Sequence, residues 1–127
     1  VNPILIALGG ALGSLARWWV SETLALATGP GFPWGTLLVN VTGSFVIGAA
    51  AGGSWNDVRL IETDTVRYFV MVGLCGGYTT FSAFSLQTVG MLQAGDVGRA
   101  GVNVLASVAA CLVATWAGYA LAAALAR

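Results

Sequence analysis

Four apolar stretches, each long enough to cross a bilayer, take up almost the whole chain and set its class before any motif is read. A span needs about 20 predominantly apolar residues. Residues 3–27 supply the first and end at Thr28-Gly29-Pro30-Gly31, where Gly and Pro stop a helix. Pro33-Trp34 opens the second, over 34–53, with Pro33 suited to a helix start and Trp34 to the interfacial belt. Residues 54–65 make the one clearly polar loop, which holds Asp57, Arg59, Glu62 and Asp64. The third apolar run covers 66–94, Ala94-Gly95-Asp96 breaks it, and the fourth covers 98–126. The predicted architecture is one all-α, four-span membrane domain over residues 1–127.

Composition excludes the alternatives. Hydrophobic residues make up 57% of the chain and charged residues 8%, against roughly 25% charged in a soluble domain. A soluble fold would leave large apolar patches facing water, and a lipid-facing surface removes that problem. Lys and His are absent, and five Arg balance five acids, so there is no basic patch for nucleic acid and no polybasic cluster for membrane-surface docking. Cys75 and Cys111 lie inside apolar stretches without metal-ligand spacing, which argues against a disulfide-stapled fold. The first stretch lacks a basic lead-in and does not read as a removable signal peptide. No nucleophile–base arrangement is visible, and no enzymatic activity is expected.

The third run is too long for one straight crossing. As a single helix it would reach about 43 Å against a hydrocarbon core of about 30 Å. Near its middle lies Gly73-Leu74-Cys75-Gly76-Gly77-Tyr78-Thr79-Thr80, a Gly pair followed by two β-branched residues. Gly costs helix stability and permits unusual backbone angles, so the helix is expected to break here. The alternative is a long tilted helix with a Gly-rich packing face. The break is preferred, because half-helix ends at mid-membrane are a recurring device for holding ions.

Four spans put both termini on the side of the 54–65 loop, with Arg59, Arg67 and Arg127, against Arg99 and Arg17 on the other. So small a bias sets no orientation under the positive-inside rule, which leaves insertion in both orientations open, ahead of a fixed orientation set by a partner.

Polar groups at membrane depth are costly unless paired, so each is a functional candidate. Thr36 and Asn40 share a face of the second span. In the third, Thr79, Thr80, Ser82 and Ser85 surround Phe81 and Phe84. In the fourth, Asn103, Ser107, Cys111 and Thr115 recur every four residues and draw one stripe down a helix, which Tyr119 extends. Interhelical glue explains one or two such residues; a stripe this long, beside polar groups on two other spans, points to a water or ion track. The track offers amide and hydroxyl donors but no carboxylate chain, Lys or His, which suits an anion better than a cation or proton. The positive edges of the Phe81 and Phe84 rings could add to it, although core packing is the default for any Phe pair. Arg17, about 21 Å along the first span from Pro3, reads equally as a residue snorkelling to the interface beside Trp18 and Trp19 or as a fixed charge drawing anions into a vestibule. These features stop at a narrow, anion-friendly polar track.

Three stretches go further. GGALGSLARWW (9–19), FPWGTLLVNVTGSFVIG (32–48) and GLCGGYTTFSAFS (73–85), in this order and spacing, resemble the Fluc (CrcB-type) bacterial fluoride channels over essentially the whole chain. The resemblance implies a multi-pass protein of the bacterial inner membrane, an antiparallel, dual-topology homodimer embedded in lipid. Each third helix would be broken at mid-membrane, and two pores would carry fluoride passively out of the cell, protecting it from toxicity. By position, Asn40 resembles the family's pore asparagine, Phe81 and Phe84 its pore phenylalanines, and Ser107 and Thr115 hydroxyls of its polar track. Gly76 and Thr79 resemble the backbone-carbonyl ligands of a structural sodium ion (Na+) at the dimer centre. Asn103 stands where Tyr is common, Cys111 where Ser is common, and Gln87 where an acid is common.

Two rivals make different demands. A proton-coupled small multidrug-type transporter needs a membrane-embedded carboxylate, and Glu22 is the only acid of the first span and lies near its end. A structural membrane subunit would use the polar stripe only to pack helices.

Overall fold

A computed structural model describes residues 2–53 and 63–126. Asp57, Arg59 and Glu62 of the polar loop, and Arg127, lie outside the described residues. Helix α1 covers Asn2–Thr28 and α2 covers Trp34–Gly52. A single turn, α3 (Thr63–Thr65), runs into a π-wound segment, Val66–Cys75, and then into α4, Gly76–Tyr78. After a break come α5 (Phe81–Gln93) and α6 (Val97–Leu125). The described residues contain no strand. Four helical segments are long and apolar enough to cross a membrane: α1, α2, the interrupted run Val66–Gln93, and α6.

The expected break is present within the 73–80 stretch, and it opens at the Thr pair while the Gly pair stays helical. Gly76 keeps helical angles (φ −62°, ψ −38°), whereas Thr79 (φ −80°, ψ 156°) and Thr80 (φ −151°, ψ 111°) are extended. β-Branched residues favour extended backbone, and the glycines serve a different purpose. A Cβ on Gly77 would lie 2.5 Å from the Gly10 carbonyl oxygen, and one on Gly13 would overlap the Leu74 carbonyl. Small residues thus let α1 and the first half of the third span touch backbone to backbone. In lipid, where no hydrophobic force draws helices together, such van der Waals contact is a main source of association. The ten-residue π segment is itself uncommon, since π winding is met mostly as single turns at functional sites.

Helix α2 is the most enclosed of the spans and lies along α6. Gly48 faces the Thr115 carbonyl and Gly118 faces the Phe45 carbonyl, each too closely for any side chain. Helix α5 is different. It meets only α6 and the edge of α2 among the described elements, and it buries no residue. Glycines in left-handed backbone turn the chain at one end of the bundle, Gly29 (φ 77°) after α1 and Gly95 (φ 81°) after α5.

Candidate ion pathway at the helix break

The break frees backbone groups at mid-span, and α2 takes up two of them. Thr79 N–H makes the last bond of the first half-helix, to the Cys75 carbonyl (2.9 Å). Thr80 N–H turns to Asn40 Oδ1 (2.8 Å), while Asn40 Nδ2 donates to the Thr80 carbonyl (3.1 Å). The Asn40 amide therefore pairs with Thr80 as a neighbouring strand would, satisfying both backbone groups of an extended residue at the helix break. Gly43, three residues on, leaves room for the Thr79 methyl and the Tyr78 ring, and Tyr78 Oη bonds Thr42 Oγ1 (2.9 Å).

The two half-helix ends carry opposite partial charges. On the carbonyl-rich end, Arg17 Nε donates to the Gly77 oxygen (3.1 Å), joining α1 to the break. This contact belongs to neither reading of Arg17 made from sequence. It needs the close approach of α1 that the glycines allow. On the other side, Thr80 caps α5, its hydroxyl accepting from Ala83 N–H (3.1 Å). The positive end of the α5 dipole so begins at Phe81.

Beside the break lies a cavity of about 400 Å³ that brings together Asn40, Ser44, Phe81, Phe84, Ser107 and Cys111, with Gly76 and Thr79 at its border. Phe81 and Phe84 meet with centroids 5.4 Å apart at 51°. Phe81 is 78% exposed. Among the described residues, no acid lines the cavity.

Three residues singled out from sequence lie elsewhere. Thr36 is buried at a separate cleft of about 600 Å³, formed where the 29–33 and 94–96 connections meet, with Glu22, Gln87, Asp96 and Arg99. Ser82 is exposed and bonds Thr80 Oγ1 (3.1 Å). Thr115 sets its backbone against Gly48 in the α2–α6 contact. The α6 stripe therefore divides: Ser107 and Cys111 reach the cavity, and Asn103 is 2% exposed behind Ser107. Sequence reasoning missed Thr42, Ser44 and Tyr78. Their only signal is membership of the 32–48 and 73–85 stretches.

Comparison with known proteins places these residues in a family context. A family model described as "CrcB-like protein, Camphor Resistance (CrcB)" matches residues 4–119. A protein of Methylocella silvestris named fluoride-specific ion channel FluC is 48% identical over 125 residues, 98% of this chain and 95% of its own. The protein of the same name from Opitutus terrae is 53% identical over 116 residues, 91% of this chain and 88% of its own. The one from Rhodospirillum rubrum is 50% identical over 116 residues, 91% and 90% of the two chains.

Proposed function

The chain belongs to the CrcB-like family, and on that footing we propose that it conducts fluoride passively as a fluoride-selective channel. The observation that carries this reading is the cavity at the helix break, where Asn40, Phe81, Phe84 and Ser107 meet. Asn40 Nδ2 gives one N–H to Thr80 and has a second to offer. The Phe ring edges and the start of α5 add positive potential. A small, strongly hydrated anion needs many close donors to replace its water, and a carboxylate-free lining does not repel it. Fluoride that enters a cell as neutral HF dissociates in a more alkaline cytoplasm, and such a channel lets the anion leave down its electrochemical gradient. Ion movement of this kind involves no covalent step.

A second copy in the opposite orientation is the proposed partner. Alone, the subunit turns Phe81 outward, leaves α5 without a buried residue and exposes Gly76 beside a broken backbone. Polar backbone at membrane depth needs a protein cover. The near-equal arginine distribution suits a pair inserted in both senses in the inner membrane, with lipid around the remaining apolar faces.

The same arrangement supports a structural sodium ion between the copies. In an unbroken helix the Gly76 and Thr79 carbonyls would accept from Thr80 and Ala83 N–H. Here those donors go to Asn40 and to the Thr80 hydroxyl, so both oxygens lose their helical partners. Two such carbonyls from each copy form an oxygen set that fits a hard cation. Exchanging sodium for a large organic cation is expected to lower the dimer's thermal unfolding midpoint, since a ligand at a hundredfold excess over its Kd contributes about 2.7 kcal/mol. An unchanged midpoint and unchanged flux would remove the sodium site.

The proton-coupled transporter is disfavoured because Glu22 lies exposed at the cleft near the end of α1, away from the cavity. A fluoride electrode on proteoliposomes decides among the readings: fluoride efflux without chloride efflux is expected, whereas proton-coupled cation transport or no flux would favour the rivals. In the same assay Phe81→Ile and Phe84→Ile should each slow flux by about tenfold, the scale of a lost ring contact. Folding should change little for the exposed Phe81. Wild-type rates in both would return the pair to packing.

A further inference from the structure

Helix α5 carries both phenylalanines yet buries nothing, so what holds it in place matters. Its N-terminal end is tied at Thr80 by Asn40. The other tie is at Thr88, which accepts from Asn103 Nδ2 (3.0 Å), the only side-chain hydrogen bond joining α5 to α6 among the described residues. Phe84 lies midway, four residues from each.

The direction of every proton in this second tie follows from one atom. Thr88 Oγ1 bonds the Phe84 carbonyl (2.7 Å), and a carbonyl can only accept, so the single Thr88 proton is committed there. Toward Asn103, Thr88 can then only accept, which turns Nδ2 to Thr88 and Oδ1 to Ser107. Ser107 Oγ must in turn donate to Oδ1 (3.4 Å). The relay runs Ser107 to Asn103 to Thr88 to the Phe84 carbonyl, and no pore-facing acid or His terminates it. Asn103 is 2% exposed and Ser107 is 8% exposed, so water does not substitute for these bonds.

From this geometry we infer that Asn103, through Thr88, is a positioning residue: it clamps α5 to α6 and fixes the Phe84 ring at the cavity. The inference rests on the fluoride-channel reading for its functional consequence, but the clamp itself does not. Thr88→Val keeps the shape and removes the hydroxyl; Asn103→Leu removes the amide; Thr88→Ser keeps the hydroxyl and loses the methyl.

The test measures fluoride flux from proteoliposomes and hydrogen–deuterium exchange of segment 81–93 in the same dimeric preparations. Thr88→Val and Asn103→Leu should each speed exchange and slow flux by about tenfold, the scale of one lost buried hydrogen bond. The double variant should be no worse than the more impaired single for the tie itself, because both cut the same Asn103–Thr88 bond. Thr88→Ser should keep wild-type values in both assays. If Thr88→Ser is as impaired as Thr88→Val, shape rather than the bond is at work and the inference fails. Unchanged exchange would overturn the clamp, and faster exchange with unchanged flux would overturn the positioning of Phe84. Should the wild-type protein carry no fluoride, the channel reading falls while the exchange arm still decides the clamp.

Discussion

Asn40→Asp is expected to abolish fluoride flux while leaving the proposed dimer assembled. The substitution keeps the oxygen that accepts from Thr80 N–H and replaces the Nδ2 donor with a second oxygen facing the Thr80 carbonyl. Two acceptors then oppose each other across a contact that measures 3.1 Å with the amide in place. A negative charge also sits in the cavity with Phe81, Phe84 and Ser107. At an effective dielectric of about 20, a unit charge raises the energy of an anion about 5 Å away by roughly 3 kcal/mol, a few hundredfold in occupancy. The positive end of α5 offsets only part of this. Asn40→Leu separates the two roles of the residue. It adds no charge but leaves both Thr80 groups without partners at about 1–3 kcal/mol each. It should therefore lower the thermal midpoint more than Asn40→Asp does. Size-exclusion profiles, unfolding midpoints and electrode traces on the three proteins check the pattern. Conduction by Asn40→Asp at the wild-type rate would take Asn40 out of the pore.

What could be read from the chain, and what could not, divides along a physical line. The four spans follow from length and apolarity, because a bilayer imposes both directly. The presence of a break follows from the Gly-rich stretch near the middle of the third run rather than from length, since α6 runs 29 residues unbroken. Its place within 73–80 follows too, but not which residues of that stretch open. The Gly pair looks like the weakest point of an isolated helix, but Gly77 is held helical against Gly10 and the chain instead opens at Thr79-Thr80, where Asn40 supplies the missing partners. That choice depends on two other spans and has no local signature. The α6 stripe shows the same limit. Four-residue spacing puts Asn103, Ser107, Cys111 and Thr115 on one face, yet α2 meets that face at Gly48 and claims Thr115 for packing. Arg17 has two readings from sequence, both concerned with water, and its contact with the Gly77 carbonyl belongs to neither. Asn103 is singled out by its place in the stripe, whereas its partner Thr88 carries no pattern at all.

Gly43→Val is the second substitution with a large expected effect, and it tests whether the break is built by packing. A Cβ here overlaps the Thr79 methyl and lies 3.0 Å from the Tyr78 ring. Neither neighbour can yield cheaply. Thr79 is β-branched and its hydroxyl is bound to the Cys75 carbonyl (2.8 Å), so rotating it away breaks that bond. Tyr78 is held to Thr42 through its hydroxyl (2.9 Å). The remaining response is for the third span to move off α2, which carries Thr80 away from Asn40 and the Gly76 and Thr79 carbonyls away from their present positions. Overpacking alone costs about 1–3 kcal/mol, and losing the Asn40 pair adds about 1–3 kcal/mol for each orphaned Thr80 group. The expected result is loss of flux together with dissociation of the proposed dimer on size exclusion. Gly98→Ala provides the contrast, since no atom lies within 4 Å of a Cβ there. It should fold as well as the wild type or better by up to about 1 kcal/mol, the helix-propensity difference between the two residues. A Gly43→Val protein that stays dimeric and conducts would mean that the break tolerates separation from α2, and the Asn40–Thr80 pair would then lose its place as the element that holds it open.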